Sequence, residues 1–186
     1  NFLSKKVSYI KIKETNSQLE SLFESKDSFK AFKNFFICSC DCFGFFDQKL
    51  LQEKVTCSNY DIICFGFNPS LLQIKSKSNY STLEHENGEV KKFFIKKIES
   101  NSSHGLAGFF WIKNGSNFSK IIDKFFKSDL DISREKIIDD LMEYSLHIGN
   151  SIGFVPLEKY YHLGTPDELK EYKYWLNNYE SLIDVS

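Results

Sequence analysis

One carboxylate follows the first strongly apolar run of the chain and could hold a metal ion. The run covers residues 34–38, and Asp41 lies just beyond it. Open α/β sheets bind ligands outside the carboxyl ends of their strands, so a residue in this position faces the usual ligand crevice. Mg²⁺ is commonly held by one or two carboxylates together with phosphate oxygens. The alternative is that Asp41 caps the turn or the next helix, and the pattern does not decide between the two.

Two neighbouring lysines end the return strand of a hairpin. Asn87-Gly88 separates the two arms and is a strong hairpin signal, and Lys96 and Lys97 close the second arm. Successive side chains of a strand point to opposite faces, so one lysine could reach a cleft while the other stays in solvent. A lysine binds phosphate as a point charge. Taken alone, the pair is more typical of a solvated strand end.

The last helix has a well-marked start, where an anion could also bind. Thr165 is predicted to be the N-cap, Pro166 the first helical residue, and Glu168 the partner of Thr165 in a capping box. This structural explanation accounts for the whole segment, although a helix N-terminus also offers free N–H groups to an anion. His162, just upstream, is more often a structural histidine than a ligand or a base.

The elements that must position these residues follow from apolar periodicity. Strands are predicted at 7–12, 34–38, 61–67, 80–86, 90–95, 104–112 and 151–157, with a further short strand at 160–163. Helices are predicted at 19–32, 47–54, 118–126, 137–145 and from 166, the last with a buried stripe of Leu169, Tyr172 and Leu176. Strand–helix alternation around a hairpin predicts an α/β fold with a mixed, mostly parallel sheet flanked by helices. No linker divides the chain, so residues 1–186 are predicted to form one domain.

Composition narrows the functional classes. The chain has 186 residues, 41% of them hydrophobic, and a net charge of −1. These values argue against disorder and against a strongly basic nucleic-acid face, and no apolar run approaches the roughly 20 residues that cross a membrane. The aromatic residues of the last helix exceed one buried stripe, which leaves a homo-oligomer open.

The cysteines indicate a reduced compartment. There are 5 of them, an odd number, in a chain that is not a small disulfide scaffold, so we expect a cytoplasmic protein. Cys38, Cys40 and Cys42 alternate and would share one face of a strand. They are interpreted as small buried hydrophobes rather than metal ligands, because the usual C-x-x-C spacing is absent.

The order of several segments resembles the sugar-phosphate nucleotidyltransferases of bacterial surface-polysaccharide biosynthesis. The resemblance runs from about residue 7 to residue 175. The matching pieces are 14–18, the strand and aspartate 36–41, the hairpin and lysines 87–97, the segments 107–111 and 115–118, Glu135 with Asp139, and the Gly-Thr-Pro-x-Glu-Leu signature within 161–169. Each motif is unspecific alone, and the signal lies in their order and spacing.

The resemblance implies a GT-A-like nucleotide-binding fold and a defined reaction. In that reaction a nucleoside monophosphate passes from a nucleoside triphosphate to a phosphorylated small molecule, and pyrophosphate is released. The implied roles are Mg²⁺ binding by Asp41, phosphate contact by Lys96 or Lys97, nucleotide binding near Ser17 and Gln18, and acceptor binding by Gly108, Glu135 and His162. Nucleic acid and membrane are not implied partners.

The departures from the family pattern shape a second expectation. The family opens with a strand and a Gly-x-Gly-x-x-Arg loop that wraps the triphosphate, and these 186 residues contain no such motif. His162 stands where many relatives carry a second metal-binding aspartate. We therefore expect an N-terminally incomplete or degenerate copy with little or no turnover by itself. Two alternatives stay open: a GT-A glycosyltransferase, against which the single carboxylate around Asp41 counts, and a non-catalytic nucleotide-binding relic.

Overall fold

The computed structural model describes residues 10–57, 59–69, 80–97, 104–128, 130 and 132–183. The strands are β1 (Phe35–Cys38), β2 (Cys42–Phe46), β3 (Ile62–Phe67), β4 (Thr82–Glu86), β5 (Glu89–Phe94), β6 (His104–Ile112) and β7 (Ile152–His162). The helices are α1 (Gln18–Phe29), α2 (Gln48–Cys57), α3 (Gly115–Lys127), α4 (Ile138–His147) and α5 (Pro166–Ile183). Within the described residues, no helix is both long and apolar enough to cross a membrane.

The strands form a mixed sheet in the order β1-β6-β3-β7-β5-β4, and β2 pairs with the far half of β7. The predicted α/β class with helices flanking a mixed sheet is confirmed. The expectation of a mostly parallel sheet is wrong, because among the described pairings only β3 and β7 run parallel. Parallel neighbours need a long crossover connection. Here the β4–β5 hairpin and the returning strand β6 reverse direction, and only β7 arrives beside β3 through a crossover.

β3 lies at the centre of the core and supplies side chains to both faces of the sheet. All six of its residues are buried, as expected for a strand covered on both sides. Ile62 and Cys64 point into a layer formed with α1, α3 and α4, whose buried members include Leu19, Phe118 and Leu141. Ile63, Phe65 and Phe67 point into the opposite layer, against which α2 packs Leu50, Leu51 and Val55. The prediction of a buried strand at 61–67 is confirmed.

The segment around Asp41 differs from the sequence expectation. The chain turns after β1 and returns as β2, a strand that the apolar pattern did not reveal. Cys38, Cys40 and Cys42 therefore do not share one strand face, since a turn separates β1 from β2. Cys38 and Cys40 are exposed and only Cys64 is buried, so the interpretation of the cysteines as buried hydrophobes is wrong for most of them. β1 is also less buried than predicted, with Phe36 50% exposed.

The C-terminal part confirms its predicted caps and corrects its predicted burial. The segments 151–157 and 160–163 form one continuous strand, β7, rather than two. α5 begins at Pro166 as expected, but its predicted buried stripe is wrong: Leu169 is 37% exposed and Leu176 56% exposed. Residues 7–9 of the predicted strand 7–12 lie outside the described residues, and residues 10–12 are not in a strand.

Candidate functional site

A cleft of about 190 Å³ opens where several element ends meet. These are the β1–β2 turn, the segment after β5, the middle of β6, the start of α4 and the end of β7. The lining residues are Gln18, Ser39, Asp41, Cys42, Tyr80, Ser81, Lys96, Leu106, Ala107, Gly108, Ile137, Ile138, Asp139, Tyr160 and His162. The structure thus brings together five of the eight predicted site residues: Gln18, Asp41, Lys96, Gly108 and His162.

Asp41 is held at the cleft by its backbone and leaves its carboxylate accessible. Its carbonyl oxygen accepts a hydrogen bond from the Leu163 N–H at 2.7 Å, which joins the β1–β2 turn to the end of β7. Its side chain is 47% exposed. The next helix, α2, is capped by a different residue, because Asp47 Oδ1 accepts from the Lys49 N–H at 2.8 Å. Asp41 is therefore not the cap of that helix, which removes one of the two alternatives to a ligand role.

Lys96 and Lys97 lie beyond β5, which ends at Phe94, so the expectation that they end the strand and separate by strand alternation is wrong. The hairpin turn has Asn87 at φ 51° and Gly88 at φ 79°, the left-handed pair that a two-residue turn requires. Lys96 is itself in the left-handed region at φ 54°, and its N–H donates to Ser81 Oγ at 3.2 Å. Lys96 lines the cleft, whereas Lys97 does not and instead accepts at its carbonyl from Thr82 Oγ1 at 2.8 Å. Non-glycine residues rarely adopt this conformation, and such strain clusters at functional sites.

Gly108 lies in a bulge of β6 that brings two strands close together. Cys64 pairs with Phe110 and Gly66 with Leu106, so three residues of β6 face one residue of β3. Gly108 has φ 71°, and its carbonyl accepts from the Ser39 N–H at 3.1 Å. A Cβ at this position would lie 2.7 Å from Ser39 Oγ. The left-handed backbone therefore favours glycine here independently of any ligand, and the Ser39 side chain would have to shift to admit a Cβ.

Asp139 adds a second carboxyl group to the cleft. Asp140 fixes the start of α4, since its Oδ2 accepts from the Ile137 N–H and from the Arg134 guanidinium, both at 2.9 Å. This cap places the neighbouring Asp139 against the cleft. Burial raises the pKa of Asp139 to about 6, against the opposing effects of a hydrogen bond from Ser81 and the charge of Lys96. The sequence marked Asp139 only through the family resemblance, because its burial depends on residues from other elements.

His162, Glu168, Thr165 and Tyr80 form a connected polar chain at the end of β7. His162 Nδ1 lies 2.8 Å from Glu168 Oε2, and that oxygen also accepts from the Thr165 N–H at 3.1 Å and from Thr165 Oγ1 at 2.8 Å. Tyr80 donates its hydroxyl to Glu168 Oε1 at 3.1 Å. Burial favours a raised pKa for Glu168, but the hydrogen bonds from Thr165, His162 and Tyr80 outweigh it and leave the pKa below the usual value. The predicted capping box is confirmed, and it also fixes His162 beside the cleft.

The remaining predicted site residues lie away from the cleft lining. Ser17 is the N-cap of α1, where its Oγ accepts from the Glu20 N–H at 3.1 Å. Glu135 is exposed, and its carbonyl accepts from Arg134 at 2.9 Å. The ligand roles of Ser17, Glu135 and Lys97 have no support from this geometry and stay predictions.

Two side chains at the cleft could hold a divalent cation. Within the described ranges no group of three or more His, Cys, Asp or Glu side chains is arranged to bind a metal ion. Asp41 Oδ2 and His162 Nε2 lie 3.7 Å apart, and both line the cleft. A cation shared by this pair would keep its other coordination positions for water or for phosphate oxygens. The donors present therefore fit a substrate-assisted site rather than a closed one.

Comparison with known proteins gives no match by sequence and clear matches by structure. No protein-family model and no curated protein sequence matches the chain. A nucleoside-diphosphate-sugar pyrophosphorylase from Vibrio cholerae RC9 aligns over 86% of this chain with a TM-score of 0.65 and 17% identity. A UDP-glucose pyrophosphorylase complexed with UDP-glucose aligns over 91% with a TM-score of 0.67 and 13% identity. The inositol-1-phosphate CTP transferase from T. maritima aligns over 82% with a TM-score of 0.58 and 13% identity.

The chain has the sugar-nucleotidyltransferase fold. The resemblance that the motifs suggested is thereby confirmed at the level of the fold, and identities of this size carry no more than the fold. The chain covers 65%, 66% and 57% of the length of those three solved chains respectively. Activity, substrates and partners of the whole protein are therefore matters for proposal.

Proposed function

We propose that the cleft binds a nucleoside triphosphate together with a phosphorylated small molecule, such as a sugar phosphate. The reaction is transfer of the nucleoside monophosphate with release of pyrophosphate, in the synthesis of surface-polysaccharide precursors. One observation carries the proposal: in a nucleotidyltransferase fold, Asp41 and Lys96 line the same cleft. These are opposite charges from distant segments, and a phosphate chain with its cation needs both.

Catalysis of this reaction depends mainly on positioning the substrates and neutralising their charge, and little on proton transfer. An oxygen of the acceptor phosphate attacks the α-phosphorus in line, and the bond from that phosphorus to the pyrophosphate oxygen breaks. Lys96 binds the negative charge of the phosphates, and Gln18 contributes an amide that can hydrogen-bond the nucleotide. A divalent cation, Mg²⁺ by family resemblance, would be held by Asp41 and supplies charge neutralisation at the phosphate oxygens.

Asp139 gives Lys96 an anionic neighbour when no substrate is bound. Because the lysine charge lowers the pKa of Asp139, the two groups attract each other across the cleft. A phosphate group entering beside Lys96 weakens that attraction and places a second anion near Asp139. We propose that Asp139 thereby becomes protonated or accepts a hydrogen bond from a hydroxyl group of the acceptor, and that it belongs to the acceptor side of the cleft.

Turnover by these 186 residues alone is proposed to be low. The sequence has no glycine-rich loop of the kind that wraps a triphosphate. Backbone N–H groups of such loops supply much of the phosphate binding in nucleotide sites. Single-domain organisation and a cytoplasmic location also stay predictions.

Nucleotide binding with paired lysine variants tests the proposal. Melting temperature and calorimetric affinity are measured with CTP, UTP, GTP and dTTP, each with Mg²⁺ and with Mn²⁺. A nucleotide at 100 times its Kd should add about 2.7 kcal/mol to stability. Lys96→Ala should weaken binding about tenfold or more, since a charged hydrogen bond contributes roughly 1.5–3 kcal/mol. Lys97→Ala is the matched control, and its affinity should stay within about twofold of the parent.

Two outcomes would contradict the proposal. One is equal loss of affinity in Lys96→Ala and Lys97→Ala, which would place the phosphates elsewhere. The other is no binding of any of the four nucleotides. Tighter binding of sugar nucleotides than of triphosphates would favour the glycosyltransferase alternative.

A further inference from the structure

We propose that Asp41 and His162 form a mixed oxygen–nitrogen cation site that binds a first-row transition-metal dication in preference to Mg²⁺, with Glu168 as the residue that orients the imidazole. The role of this ion in nucleotide binding rests on the proposed function. Binding of the ion itself needs only the two side chains and can be measured without nucleotide.

The spacing of the two donor atoms suits a shared ion. His162 Nε2 and Asp41 Oδ2 are 3.7 Å apart. Metal–ligand bonds to imidazole nitrogen and carboxylate oxygen are about 2.0–2.2 Å long, so two such ligands on one ion lie about 3–4 Å apart. The separation is also longer than a hydrogen bond. Nε2 therefore does not donate to Asp41, and the gap between the atoms has the width that a bound cation requires.

Glu168 determines which imidazole nitrogen faces that gap. A carboxylate only accepts hydrogen bonds, so the contact of 2.8 Å between His162 Nδ1 and Glu168 Oε2 assigns the proton to Nδ1. Nε2 then presents its lone pair toward Asp41. A histidine that donates its other N–H to a carboxylate is the usual arrangement of a metal-binding imidazole.

Glu168 is itself held in place by residues from two other segments. Thr165 contributes its N–H and its hydroxyl to Oε2, and Tyr80 contributes its hydroxyl to Oε1 at 3.1 Å. The carboxylate is thus fixed by the helix cap on one side and by the segment before β4 on the other. A purely structural cap would need only the Thr165 contacts. The additional contacts to Tyr80 and His162 connect the capping residue Glu168 to two residues that line the cleft.

The donor set determines which metals are preferred. Mg²⁺ is bound by oxygen ligands and rarely by imidazole, whereas imidazole suits ions such as Co²⁺, Ni²⁺ and Zn²⁺. Cys42 also lines the cleft, but its thiol donates to the Ala107 carbonyl at 3.3 Å. The site therefore offers one oxygen and one nitrogen rather than sulfur.

Cobalt titration of the whole chain tests the proposal. Co²⁺ binding is followed by visible absorption and calorimetry without nucleotide, and Mg²⁺ is then added as competitor. We expect one Co²⁺ per chain, without the intense near-ultraviolet band of cobalt–thiolate ligation, and no displacement by Mg²⁺ at about tenfold excess. His162→Gln should weaken Co²⁺ binding at least about tenfold, and Glu168→Gln should weaken it about 10- to 100-fold. His147→Gln, at the exposed end of α4, should leave the affinity unchanged.

A switch of metal preference distinguishes metal ligation by His162 from a merely structural role. His162→Asp replaces the nitrogen donor with oxygen, so it should weaken Co²⁺ binding and make the remaining ion displaceable by Mg²⁺. This variant keeps a side chain that can ligate, and circular dichroism and melting temperature establish that each variant is folded.

Some results would overturn the proposal. These are unchanged Co²⁺ affinity in His162→Gln, displacement by equimolar Mg²⁺ in the parent chain, or thiolate absorption that assigns the ion to the cysteines. If Co²⁺ binds as expected but no nucleotide does, the cation site stands and the proposed transferase function fails. If Lys96→Ala weakens nucleotide binding but His162→Gln leaves the Co²⁺ affinity unchanged, the proposed function stands and this inference fails.

Discussion

At the scale of single residues, the cleft is defined by charges that sit close together and influence one another. Lys96 lowers the pKa of Asp139 while burial raises it, and burial has the larger effect, giving a pKa of about 6. A carboxyl group with this pKa is partly protonated near neutral pH. It can therefore donate as well as accept a hydrogen bond when a substrate phosphate or hydroxyl group approaches.

Asp139 should make the stability of the chain depend on pH in a defined direction. The pKa rises from 3.8 to about 6 on folding, so between these values the folded state binds more protons than the unfolded state. Stability then falls as the pH rises through this window, and the full cost of up to about 3 kcal/mol remains above it. Asp139→Asn should raise the free energy of unfolding at pH 7.5, and the gain should shrink toward zero near pH 4.

Urea unfolding at pH 4, 5.5 and 7.5 measures this dependence. Glu53→Gln, an exposed change on α2, is the control and should shift none of the three values. A gain from Asp139→Asn that is the same at all three pH values would contradict the coupling of Asp139 ionisation to folding.

Some of the cleft residues belong to local sequence patterns, and others depend on distant neighbours. Asp41 follows a strand and Lys96 follows a hairpin, whereas Gly108 is marked only by the family resemblance, and their roles as site residues stay predictions. Glu168 was predicted only as a helix cap. Its contacts with His162 and Tyr80 need β7 and the segment before β4 to meet, and no local pattern encodes that meeting.

At the scale of elements, the bulge in β6 shapes the cleft. It puts Gly108 against Ser39 on the β1–β2 turn, next to Asp41. Gly108→Ala introduces a Cβ into a left-handed residue at φ 71° and into contact with Ser39. We expect a loss of about 1–2 kcal/mol from the backbone conformation alone and a displaced turn, which should also weaken nucleotide binding.

Gly149→Ala separates the two effects of that change. Gly149 also has a left-handed conformation, at φ 91°, but a Cβ there would meet nothing within 4 Å. This control should lower the melting temperature through backbone strain and leave nucleotide affinity unchanged. Equal losses of affinity in the two variants would show that the bulge does not position the site.

The elements were largely predictable where periodicity is strong, as in β3, the β4–β5 hairpin and α3. β2 was not, because its residues Cys42–Phe46 have no alternation of apolar and polar side chains, and its partner strand β7 lies far along the chain. The turn between the strands is fixed by bonds to distant residues, from Ser39 to Gly108 and from Leu163 to Asp41. The position of Asp41 therefore depends on tertiary contacts.

At the scale of the whole molecule, the sheet direction shows the limit of local reasoning. Strand–helix alternation is typical of parallel sheets, yet among the described strands a single pairing is parallel. Whether two strands pair in parallel depends on which strands become neighbours after long connections. The apolar periodicity within a strand does not predict its neighbour. The cleft lies beyond the end of β1, where the sequence predicts ligand binding, and that binding stays a prediction.

The surface leaves apolar groups exposed on α5 and on β2. Tyr174 is 60% exposed, Leu176 56% and Phe45 56%. Exposed apolar side chains in such numbers are consistent with the homo-oligomer that the aromatic last helix left open. Oligomeric state stays a prediction, and sedimentation of the chain at several concentrations would measure it.

The most direct measurement is a map of nucleotide-induced changes in the amide NMR spectrum of the ¹⁵N-labelled chain. Binding in the cleft predicts the largest shifts at Ser39, Asp41, Lys96, Gly108 and His162, which come from four separate segments of the chain. Amides of α2, on the other face of the sheet around Leu50 and Val55, should move little. Shifts concentrated on α2, with the cleft amides unchanged, would contradict the assignment of this cleft as the nucleotide site.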